Sequence, residues 1–441
     1  MTQFARAVAW FVVYVLLIVT PVIVAVVTDP IAASRPALLE FSVGVGLLTF
    51  SLILVQFALV SHVKVSSRPF GTDALVQFHG YMGFLALAFL LLHPALLNVE
   101  GLPLATWLPF GGSEATVSGA LALWAIVALV LSTILRSRLG LSYETWRLMH
   151  MGLSIVVAAA MAVHIAAVAR YSSAGIMRVV LGGYLLLFGA ALGTYRVIRP
   201  LRMRSRAWTV ISNAEVGAGT HILTAGPVGH PGFAFDPGQF AWLTTGRSPF
   251  SLQQHPLSIA SSAERPFDGS IEFAIRELGD WSRTVVPNLA PGDRVWVDGA
   301  FGAFTIERKA AQGFVMIAGG TGIVPMRSML LTMRDRDDRR HVLLLYAARD
   351  PEGMAFRQEL EALRRPMALD IVDVLEAPPP DWSGACGYVS ADLLRRQLPR
   401  QFRRYHFFVC GPPAMMDAVE AALLAEGVPA ASIDSERFNL V

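Results

Sequence analysis

Six apolar stretches, at about 4–27, 38–60, 74–97, 117–135, 148–169 and 176–197, fill the first 200 residues of this 441-residue chain. Each is about 20 residues long or more, enough for one helical crossing of a hydrocarbon layer about 30 Å thick. Charge is segregated to match. Of 36 basic and 33 acidic side chains, only 17 fall within residues 1–200. The remainder, roughly 240 residues, has the charge of a water-soluble protein and room for two small domains. The expected fold is a multi-domain membrane protein. A six-transmembrane α-helical bundle (1–200) precedes an antiparallel β-barrel domain (201–310) and an α/β nucleotide-binding domain (311–441).

The basic residues orient the bundle. With a cytoplasmic N-terminus, the inner face carries Arg6, Lys64, Arg68, Arg136, Arg138, Arg147, Arg196, Arg199, Arg202, Arg204 and Arg206, and the outer face only Arg35, Arg170 and Arg178. Eleven against three satisfies the positive-inside rule. Six crossings then leave the C-terminal half, like the N-terminus, in the cytoplasm. The first stretch exceeds the usual apolar core of a cleaved signal and is expected to stay as an anchor. Cys386 and Cys410 both fall in the cytoplasmic half, where a disulfide is not expected. The net charge of +3 decides little by itself, and no nucleic-acid partner is expected.

Four histidines lie deep in these stretches, as two pairs of equal spacing. His79 and His93 on the third, and His150 and His164 on the fifth, are each 14 residues apart. Fourteen residues rise about 21 Å along a helix and fall only about 40° short of four full turns, so both rings of a pair face nearly the same way. Stretches separated by one other crossing run in the same direction. His79 is therefore level with His150 near the cytoplasmic side, and His93 with His164 near the outer side. A single intramembrane histidine often does no more than bond a neighbouring helix. Two identical pairs on alternate helices call for two stacked b-type haems, each held by one imidazole from each helix. Zinc is disfavoured, because no carboxylate or thiol accompanies the rings. Arg147 and Arg68 are candidate partners for inner propionates, and Arg170 and Arg178 for outer ones. As ordinary interfacial anchors they would look the same. Pro94, next to His93, removes a backbone donor in the third helix.

From Trp208 to about Phe304 the pattern is strand-like, with turn residues every few positions. From Gly313 onward, apolar strand runs alternate with helical stretches, the rhythm of a parallel nucleotide-binding sheet. Gly319-Gly320-Thr321-Gly322-Ile323-Val324-Pro325 follows the first of these strands and opens a helix. Glycines let a backbone approach a pyrophosphate, and a helix N-terminus favours its charge. A later strand, Tyr405–Val409, ends in Cys410-Gly411-Pro412-Pro413. Ligands of such sheets gather at the carboxyl ends of strands, where both motifs lie.

With these motifs, the C-terminal half resembles the ferredoxin–NADP reductase superfamily, and nearly the whole chain resembles its transmembrane branch, the NADPH oxidases and ferric reductases. That family's His-Pro-Phe-Thr flavin motif reads His255-Pro256-Leu257-Ser258 here, after Pro237-Gly238-Gln239-Phe240. Its flavin pyrophosphate element corresponds to Arg276 with Gly279-Asp280-Trp281-Ser282, and its Asp-Gly-Pro-Tyr-Gly turn to Asp298-Gly299-Ala300-Phe301-Gly302. The resemblance implies FAD on the barrel domain and a pyridine nucleotide on Gly319, Gly320, Thr321, Gly322, Pro325, Cys410, Gly411 and Pro412. It further implies that Phe438, near the C-terminus, covers the flavin, and that Cys410 positions the nicotinamide rather than acting as a redox thiol. Arg349, in Tyr346-Ala347-Ala348-Arg349, would meet the 2′-phosphate of NADPH with help from Arg357; its alternative role is capping a surface loop. NADPH is thus expected over NADH. Leu257 stands where an aromatic often stacks on the flavin, a loss of about 1 kcal/mol that weakens the hold on FAD.

The resemblance implies an NAD(P)H-dependent oxidoreductase that carries electrons from NADPH through FAD and two haems to an acceptor outside. The acceptor is either dioxygen, giving superoxide, or a ferric chelate. Another reading is an electron-transfer subunit that reduces a partner protein, and a poorer one is a flavin reductase merely anchored by helices. No side-chain triad, general acid or calcium-binding loop is evident.

Overall fold

The computed structural model describes residues 3–28, 36–60, 72–172, 175–217, 219–264, 268–307 and 309–437. Lys64, Arg68, Arg35 and Phe438 lie outside them. The chain divides after Arg199 into two compact units.

The first unit contains helices α1 (Gln3–Thr28), α2 (Ala37–Val60), α3 (Thr72–Val99), α4 (Glu114–Ile134), α5 (Tyr143–Val168) and α6 (Gly175–Gly193). All six are long and apolar enough to cross a membrane. Large apolar side chains such as Phe11, Val179 and Leu186 point outward, while Phe50, Leu54, Leu123, Val157 and Tyr184 form the interior. Helix starts follow local chemistry. Ser113 caps α4 by accepting from Thr116 N, and Ser142 caps α5 by accepting from Thr145 N. Helix α3 continues through Pro94. Helix α4 packs closely along α5, and α2 packs on α1 and α6. No such backbone seam joins α3 to α5 among the described residues. Past Gly193, α6 passes into a π turn, Thr194–Ile198, and then a short helix, α7 (Arg199–Arg204).

The second unit has two sheets. Strands β1 (Trp208–Glu215), β2 (Thr220–Pro227), β3 (Phe240–Thr244), β4 (Gln254–Ser258), β5 (Ile271–Arg276) and β6 (Arg294–Phe301) form an antiparallel sheet in the order β4-β3-β6-β1-β2-β5. It is barrel-like and not a closed barrel. Its edges come together near the bridge from Ile259 to Phe273, in keeping with the expected antiparallel barrel domain. A short helix, α8 (Asp280–Thr284), follows β5.

The other sheet is wholly parallel, with β7 (Gly313–Gly319), β8 (His341–Ala348), β9 (Leu369–Leu375), β10 (Ala385–Cys386), β11 (Tyr405–Cys410) and β12 (Ile433–Glu436) in the order β10-β9-β8-β7-β11-β12. Helices α9 (Ile323–Asp335), α10 (Arg357–Leu363), α11 (Ala391–Gln397) and α12 (Pro413–Ala425) connect its strands. Along β7, Phe314 and Met316 enter one core while Val315 and Ile317 enter the other. Burial on both faces explains why this strand reads as a continuous apolar run.

Candidate functional site

The two histidine pairs come together as their spacing requires. The rings of His79 and His150 have centroids 6.2 Å apart, and so do those of His93 and His164. A metal held between two imidazole nitrogens at about 2.0–2.1 Å from each needs a centroid separation of about 6 Å. The rings thus span a gap that their backbones leave open.

What holds the rings was not visible in the sequence. His93 donates from Nδ1 to the Ser42 carbonyl at 2.8 Å, and the Ser42 hydroxyl donates to the His93 carbonyl at 2.9 Å. His79 donates to Gln56 Oε1 at 3.1 Å, and His164 to the Ala115 carbonyl at 2.7 Å. Each bond fixes the Nδ1–H tautomer and leaves Nε2 to ligate. Two glycines seat the outer rings. A Cβ on Gly46 would lie 3.3 Å from His93, and one on Gly119 only 2.8 Å from His164 Nδ1. His93, His164, Gly46, Gly119, Leu90 and Met161 line one largely apolar cavity of about 350 Å³. At the outer level paired imidazoles, tautomers fixed from behind and an apolar slot between helices together fit a haem, and the inner pair repeats the ring spacing with one ring, His79, fixed from behind.

The arginines expected beside these sites are placed differently. Arg170 pairs with Glu40 at 2.7 Å, and Tyr171 donates to the same carboxylate, so its charge is already matched. It nevertheless lines the cavity of His93 and His164, where an outer propionate was expected of it, with its Nε buried without a partner among the described residues. Arg178 is exposed. On the inner side Arg147 donates to the Tyr195 hydroxyl, and the π turn that carries Tyr195 also carries Arg196. The Arg196 Nε is buried without a partner among the described residues. Trp146 lies against His150 at 5.3 Å.

In the antiparallel sheet, His255 stacks on Trp281 at 3.9 Å and 21° between planes, and Trp281 donates to the Thr245 hydroxyl at 2.9 Å. Pro256, Leu257 and Ser258 continue β4 opposite Trp242, Ala241 and Phe240. Leu257 packs on the sheet's core. The Ser258 hydroxyl is buried without a partner among the described residues, an orphan that a flavin's polar edge would satisfy. Ser282 does something the motif did not reveal: its hydroxyl accepts from Leu278 N and Gly279 N, both at 2.9 Å, and so shapes the turn into α8. Gln239 ties two flavin motifs together by donating to the Gly302 carbonyl at 2.9 Å. Arg276 reaches across to the glycine loop, its Nη1 3.8 Å from where a side chain at Gly320 would begin.

Both nucleotide motifs sit at the carboxyl ends of adjacent strands. The chain leaves β7 toward β8 on one side, while β11 lies on the other, so the Gly319–Pro325 loop and Cys410-Gly411-Pro412 face the topological switch point. They are pressed together backbone to backbone. A Cβ on Gly322 would fall 2.0 Å from the Cys410 carbonyl oxygen. Cys410 itself is buried. Arg349 follows β8 and is exposed, whereas Arg357 pairs with Asp373 at 2.9 Å and lies over Trp382. Burial lifts the Asp373 carboxyl above its ordinary range, with the Arg357 pair opposing that. Arg357 is thus already committed to a partner.

Residues 45–161 match the ferric reductase like transmembrane component, 225–312 an FAD-binding domain and 316–421 the oxidoreductase NAD-binding domain. The chain has the architecture of the NADPH oxidase and ferric reductase family. It joins six candidate membrane spans to FAD-binding and oxidoreductase NAD-binding domains. Its reductase half is 30% identical over 225 residues to the reductase component of propane 2-monooxygenase from Rhodococcus jostii (strain RHA1), covering 49% of this chain and 59% of that protein. It is 33% identical over 154 residues to NADH-cytochrome b5 reductase 1 of Debaryomyces hansenii, covering 34% and 54%. The chain therefore spans little more than half of these relatives' lengths. A flavohemoglobin from Malassezia yamatoensis shares the fold (TM-score 0.50, 14% identity, 89% of this chain and 98% of that one).

Proposed function

We propose that this ferric reductase-like protein carries electrons from cytoplasmic NADPH, by way of FAD and two b-type haems, to dioxygen on the outer side, yielding superoxide. The observation that carries this reading is the pair of facing histidine couples, each at 6.2 Å and on the same two helices. His79 with His150, and His93 with His164, would ligate the haems. His255, Pro256, Leu257, Ser258, Arg276, Gly279, Trp281 and Ser282 would hold FAD, with Phe438 over its ring. Gly319, Gly320, Thr321, Gly322, Pro325, Cys410, Gly411 and Pro412 would take the nucleotide. A bound flavin supplies the conversion of a two-electron hydride into single electrons. The protein's share is binding, orientation and redox tuning, with no side chain acting as acid, base or nucleophile. Both termini are assigned to the cytoplasm on the positive-inside bias, and the three domains to 1–200, 201–310 and 311–441.

The acceptor is tested by NADPH-driven cytochrome c reduction with the purified, FAD-supplemented protein, with and without superoxide dismutase, beside a ferric-chelate assay. Dismutase-sensitive reduction is the expected result. Insensitivity with rapid, oxygen-independent ferric reduction would make a ferric-chelate reductase of it. Failure on both small acceptors would favour a protein partner.

NADPH rather than NADH rests on Arg349, exposed at the carboxyl end of β8. The relatives named as NADH-cytochrome b5 reductases supply the competing reading. Arg349→Ala is expected to raise the KM for NADPH about tenfold and leave that for NADH within about twofold, as for loss of one phosphate contact. An unchanged ratio of the two would remove Arg349 from this role.

A further inference from the structure

The two histidine pairs share a spacing but not their support. At the outer level both imidazoles donate to backbone carbonyls, Ser42 at 2.8 Å and Ala115 at 2.7 Å, and the Ser42 hydroxyl also lies 3.0 Å from His93 Nδ1. At the inner level His79 donates to a side-chain amide, Gln56 Oε1, at 3.1 Å. The Nδ1 of His150 is buried without a partner among the described residues.

The supporting helices carry the same 14-residue period, and it shows where the inner level departs. Fourteen residues beyond Ser42 on α2 is Gln56. Fourteen beyond Ala115 on α4 is Leu129, whose carbonyl is already taken by the hydroxyls of Thr133 at 2.8 Å and Ser132 at 2.9 Å. Fourteen beyond Gly119, the seat of His164, is Thr133. Its hydroxyl also accepts from Trp146 Nε1 at 3.3 Å, and the Trp146 ring lies against His150. The inner level has thus lost both the carbonyl and the glycine that position its outer counterpart.

An acceptor behind Nδ1–H makes an imidazole a stronger donor to its metal and favours the oxidised metal; its absence does the reverse. We infer that Gln56 is a positioning residue for His79 which, with the unsupported His150, gives the inner haem the higher reduction potential of the two. This rests on the haem reading above. The amide is held the right way round: Gln56 Nε2 donates to the Tyr14 hydroxyl at 3.3 Å, leaving Oε1 to His79. Tyr14 is itself stacked on Trp10 at 5.4 Å and 7°. A single electron then rests on the inner side, away from the outer acceptor.

The test is a redox titration of the purified full chain with its haems, followed by optical and electron paramagnetic resonance spectra. Two one-electron components of equal amplitude are expected. Gln56→Glu, a stronger acceptor, should lower only the higher-potential component, by about tenfold in its reduction equilibrium, the scale of second-shell effects. Gln56→Leu should raise that same component. Ser42→Ala should leave the higher-potential component where it is, because the Ser42 hydroxyl touches only His93, at the outer level. If Gln56→Leu does not assemble, Tyr14→Phe, which frees the amide to turn, should shift the same component as Gln56→Glu does, in the opposite direction. Equal potentials, or a Gln56→Glu shift in the lower component or in neither, would overturn this inference while leaving two haems intact. A chain with no haem spectrum would overturn the haem reading as well.

Discussion

Replacing His164 by leucine is expected to halve the haem content and to lower outer-side reduction at least about 100-fold. Loss of a second-shell partner alone costs about 10–100-fold, and here an axial ligand goes. Among the described residues no other imidazole, thiol or carboxylate lines the cavity it shares with His93. The inner pair has its own rings, with His79 held by Gln56, so one haem should remain. NADPH oxidation with a flavin-level acceptor such as ferricyanide should continue within about twofold, because the nucleotide and flavin residues belong to other domains. Haem-to-protein ratio by pyridine haemochrome, read beside the two acceptor assays, checks all three outcomes. Gly119→Ala offers a milder version. Its Cβ would sit 2.8 Å from His164 Nδ1, so the ring must move off the Ala115 carbonyl. Two haems with an unchanged spectrum in His164→Leu would remove this residue from the ligand set.

The facing histidine pairs were legible because a helix turns spacing into direction: 14 residues on each of two parallel helices can only present two rings at two levels. The rings' supports were not legible. Ser42, Gln56 and the Ala115 carbonyl lie on α2 and α4, and which residue of one helix meets which of another is set by packing, not by a local pattern. A signal was nonetheless present, since Ser42 and Gln56 repeat the same 14-residue interval on an adjacent helix. Arg170 shows the opposite limit. Its charge suggested a propionate partner, and no local pattern showed that Glu40, 130 residues away, pairs with it.

In the soluble half the glycine loop and the Cys410 motif were legible as strand-end turns, and the alternation of strand and helix gave the parallel sheet. The antiparallel domain was legible from short strands with frequent turns, which do not say whether the edges join. Ser282 was read as a ligand contact, while its hydroxyl builds the turn; sequence motifs do not separate a residue that touches a cofactor from one that shapes the loop around it. Gly322 is a related case, needed here for the close approach of the Cys410 carbonyl.

Arg327→Met is expected to destabilise the reductase half by about 2–3 kcal/mol. Arg327 is a buried charge on α9 that no motif marked. Its guanidinium donates to Glu359 at 2.8 and 3.0 Å, to Glu272 at 2.8 Å and to the Ala260 carbonyl at 2.8 Å, and it lies 4.6 Å from the centre of the Phe356 ring. Glu272 is on β5 of the antiparallel sheet and Glu359 on α10 of the parallel one, so a single side chain joins both sheets through α9. Burial works against its charge, and Glu359 with Glu272 outweighs that, holding its pKa above the ordinary value. Removing one partner of a buried ion pair typically costs about 3–5 kcal/mol. The two carboxylates here are 36% and 32% exposed, so water takes over part of their loss and the lower figure applies. For a unit of this size the melting temperature should fall by roughly 5–10 °C. Arg327→Lys should recover less than half of that, because an ammonium cannot fork between two carboxylates and a carbonyl. Tryptophan fluorescence during heating of the full chain, with NADPH–ferricyanide activity beside it, reads both effects. If Arg327→Met melts like the parent, the cluster is no clasp and the sheets are joined by their apolar contacts alone. If it melts early yet keeps activity at low temperature, the clasp stabilises the half without setting the distance over which hydride must pass.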